Sequence, residues 1–362
     1  MILTFGEIML RVSTPDRLRL RQCVPGAMDM TFGGGEANVA VSLAHLGNDV
    51  AFMTALPDNA ITECCLADLR RYGVATDRIR IHELGRFGIY FVETGSNQRP
   101  SVVVYDRAHS TISQLAAAEY DFAAALEGVT WVHTTGITPS LSQAAFDATL
   151  ALVKTAQDRD IPVSLDLNFR KKLWRWQPGT NPRDLAEQSM RQILPHVSLV
   201  IGNEEDASDV LGIAAKDTSV DAGQINADAY REVAREIARQ FPAVKHVAIT
   251  LRESISADHN NWGAMLYQTA DDQAYLAPLD ANGAYRPYEI RNIVDRVGGG
   301  DSFGAGLIHA LRSKAYSAPE LAIRFAVAAS ALKHTIKGDF NLSSEKEVDA
   351  LLHGSGSGRV QR

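Results

Sequence analysis

Asp295-Arg296-Val297-Gly298-Gly299-Gly300-Asp301-Ser302-Phe303 stands between a strand-like run, Glu289–Val294, and a helical pattern, Gly304–Arg312. Three glycines at a helix start leave main-chain N–H groups free to converge on an anion, and the helix dipole adds a favourable field there. Asp301 lies beside that phosphate-sized hole. A carboxylate would repel bound phosphate, so its presence points to a positioned proton acceptor rather than a simple binding group.

A second glycine run, Gly33-Gly34-Gly35-Glu36-Ala37-Asn38-Val39-Ala40, leads into another helical pattern. Small residues here let a ligand approach the backbone, and Asn38 can both donate and accept hydrogen bonds, as sugar hydroxyls require.

Between and around these motifs, short apolar runs alternate with longer helical patterns, which predicts an α/β fold with a mainly parallel sheet covered by helices on both faces. The expected strands are Ile2–Ile8, Val50–Leu56, Val129–Thr134, Pro162–Leu167, Leu199–Ile201 and Val244–Thr250. Expected helices include Ala37–Leu46, Glu63–Tyr72, Gln143–Arg159, Ala227–Gln240, Ser302–Arg312 and Pro319–His334, with apolar residues at three-and-four spacing. Two segments break the rhythm. Arg17–Phe32 contains the alternation Arg17-Leu18-Arg19-Leu20-Arg21, and in Phe87–Arg107 two β-rich runs flank a Gly-Ser-Asn turn. Both read as antiparallel hairpin strands, forming either a small flap over a ligand site or an extension of the main sheet's edge. The tail from His353 onward is rich in glycine and serine and is expected to be mobile.

With 362 residues, 46% hydrophobic and 22% charged, the chain can bury a large core. The net charge of -7 offers no general attraction to nucleic acid or anionic lipid. Cys23, Cys64 and Cys65 have neither zinc-site nor redox spacing, and the histidines form no metal motif, so a reducing cytoplasm is expected. The N-terminal run lacks the basic and long apolar regions of a signal peptide, and no apolar run approaches the length of a membrane span. No Gly-x-Gly-x-x-Gly follows the first strand, which argues against a dinucleotide-binding oxidoreductase.

Taken together, the two glycine motifs resemble those of the ribokinase-like (PfkB) carbohydrate kinases. That family carries a double glycine before Ala-Asn-Val-Ala, and later Asp-Thr-x-Gly-Ala-Gly-Asp-x-Phe; here Arg296 and Gly299 stand where Thr and Ala are usual. The resemblance implies a three-layer α/β/α kinase domain over residues 1–354, with lid strands inserted at about 12–32 and 87–107 and a flexible tail at 355–362. It implies ATP and Mg2+, with a monovalent cation as a further candidate. It also implies Asp301 as the base, with Gly298, Gly299 and Gly300 as the anion hole.

Within the family, Gly88-Ile89-Tyr90, Tyr105-Asp106-Arg107 and Asp166-Leu167-Asn168-Phe169-Arg170 are similar to the substrate positions of 2-keto-3-deoxygluconate kinases. Gly34, Gly35, Asn38, Tyr90, Tyr105, Arg107 and Arg170 are then the expected sugar contacts, the arginines suiting a carboxylate. Asn203 and Arg252 are expected on the nucleotide. Arg252 lies in Thr250–Ser254, which stands in place of the family's glycine-containing phosphate loop. Asp206 stands where the family's Asn-x-x-Glu element has Glu, so Asp206, Glu205 or Glu204 is expected to reach magnesium through water. Self-association through the lid is the remaining expectation.

Overall fold

The strand Ile2–Phe5 is fully buried, as four apolar or β-branched residues covered on both faces require. It is third from one edge of a ten-stranded sheet in the computed structural model, which describes residues 1–203, 205–213 and 227–354. On one side it pairs in parallel with Trp131–Thr135, followed by Val163–Asp166, Leu199–Asn203 and His246–Ser256. On the other side it pairs in parallel with Val50–Met53, and Val74–Ala75 closes that edge. The sheet turns antiparallel beyond His246–Ser256, with His259–Gln268 and then Gln273–Ala277, while Tyr288–Arg291 also pairs with His259–Gln268. The strand order reverses about Ile2–Phe5, and the carboxyl ends of the strands at such a switch point leave a crevice.

Helices cover both faces, giving three layers. One core holds Phe146, Leu152, Leu185 and Ile237 against the sheet, and the other holds Val39, Leu43, Phe303, Ile308 and Phe325. Helix Gly299–Arg312 crosses Pro319–Lys333 closely. A Cβ on Gly306 would lie 3.0 Å from both Ala326 Cα and Ala329 Cβ, so small residues set that approach.

A separate four-stranded sheet has the order Asp29–Gly33, Met9–Ser13, Gly88–Glu93, Val102–Asp106. Its middle pair, Met9–Ser13 with Gly88–Glu93, is parallel. Here the structure corrects several expectations. The run Ile2–Ile8 is not one strand: the chain leaves the main sheet after Phe5 and enters the small sheet at Met9. At the break, a Cβ on Gly6 would stand 2.0 Å from Glu36 Cδ. The Arg-Leu alternation is not a strand either. Leu20–Cys23 forms one helical turn, and only Asp29–Gly33 of that segment pairs. Strand His246–Ser256 runs on through Thr250–Ser254, so that stretch is not a loop, because its partner His259–Gln268 continues the ladder. Glu204 and the 355–362 tail lie outside the described residues.

Candidate active site

A cavity of about 370 Å³ opens at the carboxyl ends of the parallel strands, between the main and the small sheet. It is lined by Gly34, Gly35, Asn38, Tyr90, Tyr105, Arg107, Arg170, Asn203, Asp206, Arg252, Gly298, Gly299, Gly300 and Asp301. The sites expected from sequence therefore converge from distant parts of the chain, Glu205 excepted, which is exposed and does not line the cavity.

Asp301 lies in the first turn of helix Gly299–Arg312. Asn38, from the helix Gly35–His45, donates its Nδ2 to Asp301 Oδ2 at 2.7 Å, while its Oδ1 accepts the Gly34 N–H at 3.2 Å. Asn38 thus fixes the orientation of the carboxylate rather than offering a free amide to a ligand. Burial pushes Asp301 up to about 6; the Asn38 hydrogen bond opposes this, Asp339 adds to it, and Arg170 and Lys333 oppose it. A carboxylate in that range accepts a proton efficiently near neutral pH.

The glycines beside it serve different ends. Gly298 is the N-cap at φ +85°, a left-handed conformation that favours glycine, and a Cβ there would meet the Asp339 carbonyl oxygen at 2.1 Å. Gly299 faces the His334 ring and turns its N–H toward the Arg296 carbonyl at 3.3 Å. It is therefore the least available of the three expected hole donors. Gly300 is exposed and a Cβ there would meet nothing within 4 Å. Among the described residues, the N–H groups of Gly300 and Asp301 have no main-chain acceptor, as expected for a first helical turn.

On the small-sheet side, Tyr90 is buried and its hydroxyl donates to Asp339 Oδ2 at 2.5 Å. Burial first, then Asp339, hold that phenol well above its ordinary range, so it remains a neutral donor already spoken for. Tyr105 is half exposed and stacks on Tyr90 with ring centroids 6.0 Å apart. The Arg107 guanidinium lies over the Tyr105 ring at 5.4 Å and is ion-paired with Glu7 in the buried wall. Arg107 is thus committed to an internal partner, which sequence reading did not anticipate. Arg170 is exposed, and one nitrogen donates to the Phe169 carbonyl at 3.0 Å. A Cβ on Gly34 would sit 2.1 Å from the Glu7 carbonyl oxygen, whereas one on Gly35 would make ordinary contacts near Thr135 and Asp301.

At the other end, Asp206 is buried and both its oxygens accept main-chain N–H groups, from Phe169 at 3.1 Å and Asn203 at 3.0 Å. Asn203 Oδ1 accepts from Glu205 and Asp206 N–H at 2.8 and 3.0 Å, holding the helix start. These groups do not fit a direct magnesium cage, and no set of three potential metal ligands occurs among the described residues. Arg252 projects from the strand His246–Ser256 and is exposed at the cavity.

Several buried charges at the site were not anticipated. Arg11 donates to Asp295 Oδ2 at 2.5 Å and is also ion-paired with Asp339. Glu36 is hydrogen-bonded to the Thr135 and Thr138 hydroxyls, and burial raises it to about 7. Asp166 is held up first by burial, then by Asp206 and Asp301. One signal existed: a lone charge inside an apolar strand-like run, such as Glu7 or Arg11, must find a partner when buried.

Comparison with known proteins bears on this geometry. Residues 1–254 match the family described as pfkB family carbohydrate kinase. The crystal structure of 2-dehydro-3-deoxygluconokinase from Thermotoga maritima is 41% identical, with a TM-score of 0.87 over 98% of this chain and 99% of that one. The 2-dehydro-3-deoxygalactonokinase of Haloferax volcanii is 29% identical over 99% of this chain and 98% of its own. A 2-dehydro-3-deoxygluconokinase of Bacillus subtilis is 29% identical over 47% of this chain and 52% of its own. The carboxylate beside a glycine-led helix start, the layered fold and these matches agree: the chain belongs to the pfkB family of carbohydrate kinases.

Proposed function

We propose that the protein transfers the γ-phosphoryl group of ATP to the terminal 6-hydroxyl of 2-keto-3-deoxygluconate. The observation that carries this reading is Asp301, held by Asn38 at 2.7 Å and raised to about 6, beside the open first turn at Gly300. Asp301 takes the proton of the hydroxyl as its oxygen attacks the γ-phosphorus in line. The bond to the β–γ bridging oxygen breaks, and ADP leaves with that oxygen. The N–H groups of Gly298 and Gly300 stabilise charge on the transferring group, an effect worth about 3 kcal/mol for a single donor. Gly299 contributes chiefly through its lack of a side chain. Magnesium supplies charge neutralisation when bound to the phosphate oxygens of ATP.

Arg170, exposed at the cavity, serves the sugar-acid carboxylate; Tyr105 and Tyr90 supply the wall beside the sugar chain, and the Glu7–Arg107 pair holds Tyr105 in position. Asn203 and Arg252 lie toward the nucleotide. The small sheet acts as the lid, and its outer strand Val102–Asp106, with Val102, Val104 and Tyr105 all more than 40% exposed, is the surface for self-association. Among the described residues no helix is long and apolar enough to cross a membrane.

A second reading, phosphorylation of the C4 epimer 2-keto-3-deoxygalactonate, is favoured by the Haloferax volcanii relative. A coupled ADP-release assay with both sugar acids, fructose and ribose tests the two. Preference for 2-keto-3-deoxygluconate is expected; higher kcat/KM for the epimer gives the second reading, and preference for a neutral sugar overturns both.

A further inference from the structure

Lys333, the last residue of helix Pro319–Lys333, is wholly buried. Its Nζ donates to two main-chain carbonyls, Ile336 at 3.1 Å and Asp295 at 3.3 Å. A buried ammonium held by carbonyl oxygens rather than by a direct carboxylate contact is unusual, since burial without a close counter-ion is costly. The nearby carboxylates are engaged elsewhere. Asp295 accepts from Arg11, Val297 N–H and Gly338 N–H, while Asp339 accepts from Arg11 and Tyr90.

The position of this ammonium is informative. A Cβ on Gly298 would lie 3.3 Å from Lys333 Cε, so the lysine stem passes directly beneath the cap of the helix that carries Asp301. The carbonyls it gathers belong to the segment entering that cap and to the turn leading to Asp339, whose own carbonyl crowds Gly298. Carbonyl oxygens converging beside that cap present partial negative charge that a buried cation satisfies. In this chain the cation-sized place is taken by the tethered ammonium.

We propose that Lys333 is a built-in cation that holds the anion-hole turn in register and makes the kinase independent of added potassium. This rests on the reading of Gly298–Gly300 as the anion hole. Lys333 is a positioning residue: it contacts the turn rather than substrate, and its charge also favours the ionised form of Asp301.

Lys333→Ala removes ammonium and stem together and leaves room among the carbonyls. Loss of kcat on the order of 10- to 100-fold is expected, the usual cost of an outer-shell partner. Ammonium or potassium chloride, compared with tetramethylammonium chloride at equal ionic strength, then restores turnover saturably. The same salts raise the melting temperature of the substrate-free variant and leave wild type unchanged in both respects. Lys333→Met retains the stem without the charge, so it loses turnover and gains nothing from either salt.

Wild type activated several-fold by potassium would overturn the proposal, and so would wild-type turnover in Lys333→Met. Folded Lys333→Ala that neither salt restores or stabilises would overturn it as well. Asp301→Asn, assayed in parallel, separates the two claims: if it retains turnover, the hole-and-base reading itself fails. If it is inactive while Lys333→Met is fully active, only the cation proposal fails.

Discussion

The two glycine-led helix starts look alike in sequence and differ in what the glycines do. At Gly33–Gly35 the first two glycines make room for the protein itself. A Cβ on Gly33 would meet Asp339 Oδ2 at 2.3 Å and one on Gly34 the Glu7 carbonyl oxygen at 2.1 Å. At Gly298–Gly300 the first glycine supplies a left-handed turn under a crowding carbonyl, whereas the third opens onto space. One start is packed shut so that Asn38 is held still; the other is left open so that something can enter beside Asp301. Asn38 to Asp301, at 2.7 Å, is the bond that joins them.

Substitutions can break this contrast. Gly298→Ala carries the largest expected effect, because it combines an unfavourable φ with a clash against main chain. A loss of roughly 3 kcal/mol or more in urea denaturation is expected, together with lost turnover. Gly34→Ala meets the same kind of clash in extended backbone and falls just below it in cost. Gly300→Ala has no clash to resolve, so its melting temperature stays within a few degrees of wild type. Its kcat falls on the order of 100-fold as the methyl group obstructs the hole donors. A Gly300→Ala enzyme with wild-type kcat would erase the distinction between the two starts.

The two helix starts are also linked through the acidity of Asp301. As the proposed base, Asp301 must be ionised to accept a proton and is raised to about 6, so kcat/KM should climb with pH and level off above that value. Asn38→Ala removes a hydrogen bond that favours the ionised form, so the rising limb moves to higher pH while maximal turnover falls. A pH profile unmoved by Asn38→Ala would break the proposed link between the two helix starts. The smallest effect is on stability. Asp301 binds its proton more tightly folded than unfolded, so its contribution to stability is lost as pH rises from about 4 through about 6. Asp301→Asn should therefore melt slightly higher than wild type at pH 8 and show less of that decline, as differential scanning calorimetry can measure.

The parallel half of the sheet was legible because strands such as Ile2–Phe5 and Val163–Asp166 are short, apolar and doubly covered. Of the antiparallel edge, Glu289–Val294 overlaps the strand Tyr288–Arg291, but His259–Gln268 was not legible: it begins His-Asn-Asn and carries Gly263, which weakens its strand pattern, although its ladder with His246–Ser256 spans both strands. Met9–Ser13 was hidden because it follows Ile2–Phe5 almost without interruption, and only Gly6 marks the change of sheet. At the site, glycines and Asp301 announce themselves through local spacing. The buried charges do not, since Arg11 and its partner Asp339 are 328 residues apart. Pairing over such a distance is set by the fold and leaves no periodic trace.

Asp301→Asn tests the account at its centre, with turnover measured by ADP release and sugar-acid and ATP affinities measured by calorimetry on the same preparation. Affinities within a few-fold of wild type are expected, with kcat reduced on the order of 1,000-fold, the scale of a lost general base. Wild-type turnover in that variant would contradict it.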